Sequence, residues 1–286
     1  MSLRTGPQGE EESGSVTTNQ EPHTGHRVAV QGLDMFYREA GEGPALVLLH
    51  GGTRTSSDWL DELPALARHF HVLAPDSRGH GRTDNPHGTL SYPMMADDVA
   101  SFILALGLEK PLVLGYSDGG QIALELGLRH PAVPGALVIG GARCAFGADY
   151  FDELREWGFD GPGKFDLSRM QSPVFDLAAS AREQHIRPDD PDYWLTLLDQ
   201  ISRLWYSVHD YSPDQLAAIT APTLVFVGDR DTANPVEVNV AMYRGLPQAE
   251  LLVVPNATHF SAPAELFNPI VLNFLQRHTL TVTVAS

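Results

Sequence analysis

Cysteine, basic charge and long apolar runs are all scarce in this chain of 286 residues. Its one cysteine, Cys144, excludes an internal disulfide framework and fits a reducing compartment. Cys144 is expected to be a buried packing group. Lysine and arginine together number 19 against 36 aspartates and glutamates, a formal charge of -17. That balance argues against nucleic-acid and anionic-membrane partners, both of which need clustered positive charge. No apolar run approaches the roughly 18 residues of a membrane span, and MSLRTGPQGEEESGSVTTNQEPHTG has no apolar signal-peptide core. A cytoplasmic location is the resulting expectation.

Metal and nucleotide signals are weak as well. His69-Phe70-His71 puts two histidines on one face of a predicted strand with no further ligand at a matching spacing. Gly41-Glu42-Gly43-Pro44 is a turn without the helix that a dinucleotide site needs. No metal and no cofactor are expected. No heptad pattern identifies an assembly interface, so oligomeric state stays open.

What is present is an alternation of strand-length and helical patterns. Residues 1–25 are polar and acidic and bury too little to offset their ordering entropy, so a disordered tail is expected there. RVAV and LDMFYREAG follow, joined by Gln31-Gly32 as a hairpin turn. Continuous apolar runs then recur at 45–49, 71–76, 112–115, 136–141, 223–229 and 250–256, as strands buried on both faces require. Helical periods lie between them. The clearest spans Tyr92 to Leu106, and another starts at Asn268-Pro269 with Ile270, Phe274 and Leu275 directed inward. The predicted fold class is α/β, a mostly parallel, doubly wound sheet.

Residues 145–213 interrupt the rhythm with no strand-like run and many aromatics. They read as a helical cap inserted between sheet strands, with 26–144 and 214–286 as the core. Arg143, Trp157, Trp194, Trp205 and Tyr206 are candidates to line a pocket beneath that cap.

The chemistry centres on Gly115-Tyr116-Ser117-Asp118-Gly119, placed after a strand and before a helix. Glycines on either side of Ser117 allow the sharp turn that raises a serine hydroxyl above a sheet edge. An unassisted serine is a poor nucleophile, so a base and an acid are required. Asp229 or Asp231, after TLVFVG, and His259, after ELLVVPNAT, fall at the carboxyl ends of later strands, on the edge where open sheets bind ligands. The backbone N–H groups of Asp118 and of Gly52, in His50-Gly51-Gly52, are candidate oxyanion donors.

Taken together, HGG at 50–52, DSRGHGRT at 76–83, GYSDGG at 115–120, GDRD at 228–231 and the histidine of NATHF make residues 27–278 resemble the α/β-hydrolase fold superfamily. The resemblance implies Ser117 as nucleophile, Asp231 rather than Asp229 as acid, His259 as base, and a helical cap. It also implies that Asp76 and Arg78 support the structure near the site. Haloalkane dehalogenases and epoxide hydrolases are similar in fold but place an aspartate where Ser117 stands, and carbon–carbon bond hydrolases carry HGxGPG where this chain has HGGTRT. GYSDGG is similar to the GWSDGG of valacyclovir hydrolase-like esterases, in which the aspartate meets a substrate amine; a carboxylate in a first helical turn is also favoured by the helix dipole alone. The expected activity is that of a serine hydrolase acting on a small-molecule ester, thioester or lactone. Acyl transfer, cyclisation or cofactor-free perhydrolysis on the same triad, and ligand reception by this fold, are the alternatives.

Overall fold

The computed structural model describes residues 24–171, 176–261 and 269–279. The predicted tail up to residue 23 and the predicted cap residue Asn268 lie outside the described residues. Strands β1 (Thr24–Val30) and β2 (Leu33–Ala40) form a hairpin. Its two turn residues, Gln31 and Gly32, have φ of 48° and 75°, the left-handed pair whose twist matches that of the flanking strands. Next come β3 (Ala45–Leu49), α1 (Leu63–Leu66), β4 (His71–Pro75), α2 (Tyr92–Ala105), β5 (Leu112–Tyr116), α3 (Asp118–Arg129) and β6 (Ala136–Gly140). An excursion follows through α4 (Ala148–Glu156), β7 (Phe159–Gly161), β8 (Lys164–Phe165), α5 (Leu177–Gln184) and α6 (Tyr193–Trp205). The chain then returns through α7 (Pro213–Ala217), β9 (Thr223–Gly228), α8 (Val236–Gly245), β10 (Ala249–Val254) and α9 (Pro269–Thr279).

The main sheet has eight strands in the order β1-β2-β4-β3-β5-β6-β9-β10. Only the β1–β2 and β2–β4 pairings are antiparallel; every pairing from β4 to β10 is parallel. Alternation along the central strands splits the core into two layers, because successive side chains leave a strand on opposite faces. Val47, Leu49, Val113, Ile139 and Val225 meet Val99 and Phe102 of α2 and Ile122 and Leu126 of α3. Leu46, Leu48, Leu114, Val138 and Phe226 meet Leu63 of α1 and Val271, Phe274 and Leu275 of α9. Each fully buried side chain of this kind contributes roughly 1.5–3 kcal/mol. Helix α2 starts at Ser91, whose hydroxyl accepts from Met94 N at 3.3 Å, and stops before Gly107 at φ 64°.

Three sequence expectations change. Residues 145–213 include a two-stranded hairpin, β7–β8, whose strands of three and two residues are too short to register as an alternating pattern. Ile270 is 54 % exposed, whereas Val271 is buried, because the inward stripe of α9 runs 271, 274, 275 and leaves Ile270 on the other side. His69 precedes β4, and His71 bonds Glu39 on the neighbouring strand at 2.6 Å, so the two histidines do not share a strand face. Cys144 is buried as expected, with its thiol toward Val238 O at 3.5 Å. Among the described residues no helix is long and apolar enough to cross a membrane.

Candidate active site

Strand order reverses beside β3, whose neighbours are β4 and β5, so a crevice opens at the carboxyl ends of these parallel strands. His50-Gly51-Gly52 leaves β3 there, Ser117 leaves β5, Asp231 leaves β9 and His259 leaves β10.

Ser117 sits at φ 56°, ψ -120°, a strained conformation for a residue with a side chain, costing on the order of 1–3 kcal/mol. Backbone bonds hold it: Ser117 N donates to Gly140 O at 2.8 Å, and Gln121 N donates to Ser117 O at 2.9 Å. The flanking glycines are there for space. A Cβ on Gly115 would overlap the Gly119 carbonyl, and one on Gly119 would overlap the Leu49 carbonyl of β3. Helix α3 can therefore start directly above the sheet only with glycine at both positions.

The serine hydroxyl lies 3.0 Å from His259 Nε2, and His259 Nδ1 lies 2.9 Å from Asp231 Oδ2. Asp231 is buried, and its other oxygen accepts from Asn234 N at 2.8 Å. The Asn234 side-chain amide also lies 3.1 Å from Nδ1. Asp229 is exposed, with its carboxylate toward Ala257 N at 3.3 Å instead. Of the two aspartates, the structure thus brings Asp231 to the histidine. Tyr116 donates to the His259 carbonyl at 2.8 Å and fixes the loop from below. Burial acts to lower the His259 imidazole, but the charge and hydrogen bond of Asp231, helped by Asp118 and Glu153, hold it above the ordinary histidine value. Because Nδ1 donates to a carboxylate, Nε2 carries the lone pair that faces the serine.

Gly52 and Asp118 flank the serine. As the first residue of α3, Asp118 has a backbone N–H with no intrahelical acceptor. A Cβ at Gly52 would stand 2.7 Å from both Asp118 Oδ2 and Trp205 Cζ2, so that loop also requires glycine. The Asp118 carboxylate is buried rather than solvated in a first turn: Oδ1 accepts from Tyr92 OH and Trp205 Nε1, each at 2.8 Å. Burial pushes the carboxyl up to about 6, against the downward pull of those two hydrogen bonds and of His259.

His50, Asp76 and Arg78 act beneath the site. His50 Nε2 accepts from Ser77 N at 2.9 Å, and the Asp76 carboxylate accepts from Ser56 N and Arg82 N at 2.8 and 2.9 Å. Arg78 forms a buried bidentate pair with Asp98 at 2.6 and 2.8 Å. The predicted cap segment borders the crevice through Trp157, Leu177 and Trp205. Its helix α5 is pinned to the loop after β3 by Arg54 to Ser180 at 2.7 Å, Thr55 to Gln184 at 2.9 Å and Gln184 to Asp58 at 3.2 Å.

Two cavities meet at Ser117 and His259. The outer, of about 300 Å³, is bordered by Trp59, Tyr116, Trp157, Leu177, Trp205 and Phe260, with Arg54, Asp58 and Glu62 at part-exposed positions. The inner, of about 30 Å³, is bordered by Tyr92, Asp118, Gln121, Arg143, Tyr150 and Asn234 among others. Trp157 and Trp205 line both, and the Trp157 ring lies 5.6 Å from the His259 ring, tilted by 33°. Arg143 lines the inner cavity, but its guanidinium is spent on Ala145 O, Ala233 O and Asp149. Trp194 and Tyr206 border neither cavity: Trp194 is buried in the core, and Tyr206 donates to Phe159 O at 2.7 Å. Trp59, Tyr92, Tyr150, Asn234 and Phe260 were missed from sequence. Phe260 and Asn234 lie one and three residues past His259 and Asp231, and that adjacency was a usable signal.

Comparison with known proteins agrees with this architecture. Residues 46–268 match the alpha/beta hydrolase family. RutD of Agrobacterium fabrum, named as a carbamate hydrolase, is 30 % identical over 263 residues, covering 85 % of this chain and 97 % of its own. The 2-hydroxy-6-oxo-6-phenylhexa-2,4-dienoate hydrolase of Burkholderia cepacia is 27 % identical over 273 residues, covering 86 % of this chain and 93 % of its own. The crystal structure of the enol-lactonase from Burkholderia xenovorans LB400 superposes with a TM-score of 0.66 at 23 % identity, over 88 % of this chain and 100 % of that one.

Proposed function

We propose that this chain, which belongs to the alpha/beta hydrolase family, is a serine hydrolase that cleaves a small or medium ester, thioester or lactone through an acyl-enzyme on Ser117. The observation that carries this reading is the unbroken hydrogen-bond chain Ser117–His259–Asp231 opening onto a cavity. The curated relatives are named for different substrates, a carbamate and a dienoate. Family membership therefore gives hydrolysis, and the choice of bond rests on the residues here.

Ser117 Oγ attacks the substrate carbonyl while its proton passes to His259 Nε2. The resulting imidazolium is stabilised by the buried Asp231 carboxylate, which accepts from Nδ1 while that nitrogen keeps its proton throughout. Charge developing on the carbonyl oxygen is met by the backbone N–H groups of Gly52 and Asp118, the latter at the positive end of α3. His259 Nε2 returns the proton to the departing oxygen or sulfur. Water, deprotonated by the same nitrogen, then releases the acid and restores the serine.

The test is intact-mass measurement after treatment with a fluorophosphonate, on the native chain and on Ser117→Ala. One adduct, mapped to Ser117 and absent from the variant, together with p-nitrophenyl acetate turnover that the variant loses, is the expected result. Ester turnover retained by a folded Ser117→Ala chain would refute the assignment.

A further inference from the structure

Charged side chains around the nucleophile are few. Among the described residues, and besides His259, Arg54, Asp58 and Glu62 line the outer cavity, and Asp118 and Arg143 line the inner one. The internal stretches beyond those residues, 172–175 and 262–268, contain no lysine or arginine. Both basic groups are already committed. Arg54 donates to the Asp58 carboxylate at 2.6 Å and to the Ser180 hydroxyl at 2.7 Å, while Gln184 donates to the other Asp58 oxygen at 3.2 Å. Arg143 is held by Asp149 and two backbone carbonyls.

The acids are not balanced in the same way. Glu62 Oε2 is buried with no hydrogen-bond partner among the described residues, and the charges that bear on this carboxylate, Asp61 and Asp58, are both negative. Burial first, and then those two neighbours, push the Glu62 carboxyl up against the pull of its own backbone N–H. Asp118 adds a second carboxylate whose Oδ2 is buried without a partner. A positive group brought near such a carboxylate stabilises it, whereas another negative group adds to the repulsion.

Substrate size brings the outer cavity into play. The inner cavity, of about 30 Å³ against about 300 Å³ outside, holds about two water-sized groups at roughly 10–15 Å³ each. Whichever end of an ester is the larger, acid or alcohol, therefore lies in the outer cavity, whose wall includes Glu62. We infer that Glu62 makes the active site selective by charge, so that its substrates are neutral or carry an ammonium group and esters bearing a carboxylate are refused. This rests on the serine-hydrolase reading above. The formal charge of -17 on the whole chain also repels anions, and salt separates the two effects. In about 1 M salt the Debye length is about 3 Å, so exposed charges are screened while partly buried ones are screened much less.

The experiment measures kcat/KM at about pH 8, where carboxylates are ionised, in low salt and in about 1 M salt. One matched pair is the acetate esters of choline and of its uncharged isostere 3,3-dimethylbutanol; the other is ethyl pentanoate and the ethyl monoester of glutaric acid. For any ester that is not turned over, its Ki against p-nitrophenyl acetate takes the place of kcat/KM. The choline ester is expected to exceed its isostere by about tenfold or more, and the glutarate monoester to fall below pentanoate by a similar factor, with both differences surviving high salt. Glu62→Gln keeps the shape and removes the charge, and should shrink both ratios several-fold. Ratios near one, or a preference for the glutarate monoester through Arg54, overturn this inference; with Ser117 still labelled by a fluorophosphonate they leave the serine-hydrolase reading intact. Ratios that vanish in high salt belong to the overall charge, and ratios unchanged in a folded Glu62→Gln remove Glu62 as their source, so either result also overturns it. If that variant does not fold, the native series in high salt decides. A chain neither labelled at Ser117 nor active on any ester overturns the underlying reading.

Discussion

Asp231→Asn exposes the logic of the site most sharply, because it leaves shape intact and changes one proton. The native carboxylate accepts from His259 Nδ1 through Oδ2 and from Asn234 N through Oδ1. An asparagine in the same place must present its carbonyl oxygen to the Asn234 N–H, so its NH2 group faces Nδ1. The nearby Asn234 side-chain amide can donate to the same nitrogen. Nδ1 then becomes an acceptor, the ring proton moves to Nε2, and Nε2 can no longer take the serine proton at 3.0 Å. Where a tautomer is reversed in this way, kcat falls by about 10⁴, on the order of 5 kcal/mol of transition-state stabilisation.

The same substitution removes the main influence that raises His259 against its burial. Since the base works only when neutral, native kcat/KM is expected to fall as pH drops through a value above that of ordinary histidine. In Asp231→Asn the residual activity should have its acid limb at lower pH. The assay is kcat/KM against pH on an activated ester for both proteins, with Asp229→Asn as the control. Asp229 is exposed and does not reach the histidine, so its variant should stay within a few-fold of native. The reasoning is refuted if Asp231→Asn retains more than about a tenth of native kcat/KM, or if Asp229→Asn is the more damaging change.

Two further outcomes bear on the frame around the site. Gly119→Ala drives a Cβ into the Leu49 carbonyl of β3 and is expected to destabilise by about 1–3 kcal/mol, read as a lowered Tm and urea midpoint; an unchanged Tm would show that α3 has slack to move. His50, His80 and His185 form a buried row with ring centroids 5.1 and 5.6 Å apart, and burial pushes all three down, His185 to about 4. Between about 4 and the ordinary histidine value the unfolded chain therefore binds more protons, so stability is complete above that window and is lost as pH falls through it. For His185 alone the loss is on the order of 3 kcal/mol. Urea melts at pH 7 and pH 5 should show it, with a smaller difference in His185→Gln; equal pH sensitivity in that variant would remove His185 as its source.

Much of the core was legible because its signals are local. Central strands read as continuous apolar runs since a parallel sheet buries both faces, and the hairpin at Gln31-Gly32 read correctly because its left-handed pair is written in two adjacent residues. The turn at Ser117 was legible for the same reason: both of its space-making glycines lie within two residues of it. Position at the strand end left Asp229 and Asp231 open, because two residues of loop decide which carboxylate faces inward; the family resemblance implied Asp231, the one that lies 2.9 Å from His259. Ile270 was misplaced because Ile270 and Val271 both stand at helical spacing from Phe274 and Leu275, and only packing selects the 271, 274, 275 stripe. The β7–β8 hairpin left no pattern in strands of three and two residues.

The pocket was less legible, for a reason that differs in kind. Its walls come from the loop after β3, from α2, from the turn after α4, from the end of α6 and from the loop after β10, and no spacing rule links Trp59, Tyr92, Trp157, Trp205 and Phe260. Aromatic richness in 145–213 pointed to a pocket in general and could not sort its members. Trp205 reaches the site by donating to Asp118, while Trp194, eleven residues and three turns earlier on the same helix, lies outside both cavities. A helix presents one stripe to a cavity, and which stripe is set by packing against the sheet rather than by composition. The order of catalytic residues along the chain thus carries the chemistry, whereas substrate choice is carried by contacts between segments up to about 150 residues apart, such as Tyr116 OH with the His259 carbonyl across 143 positions.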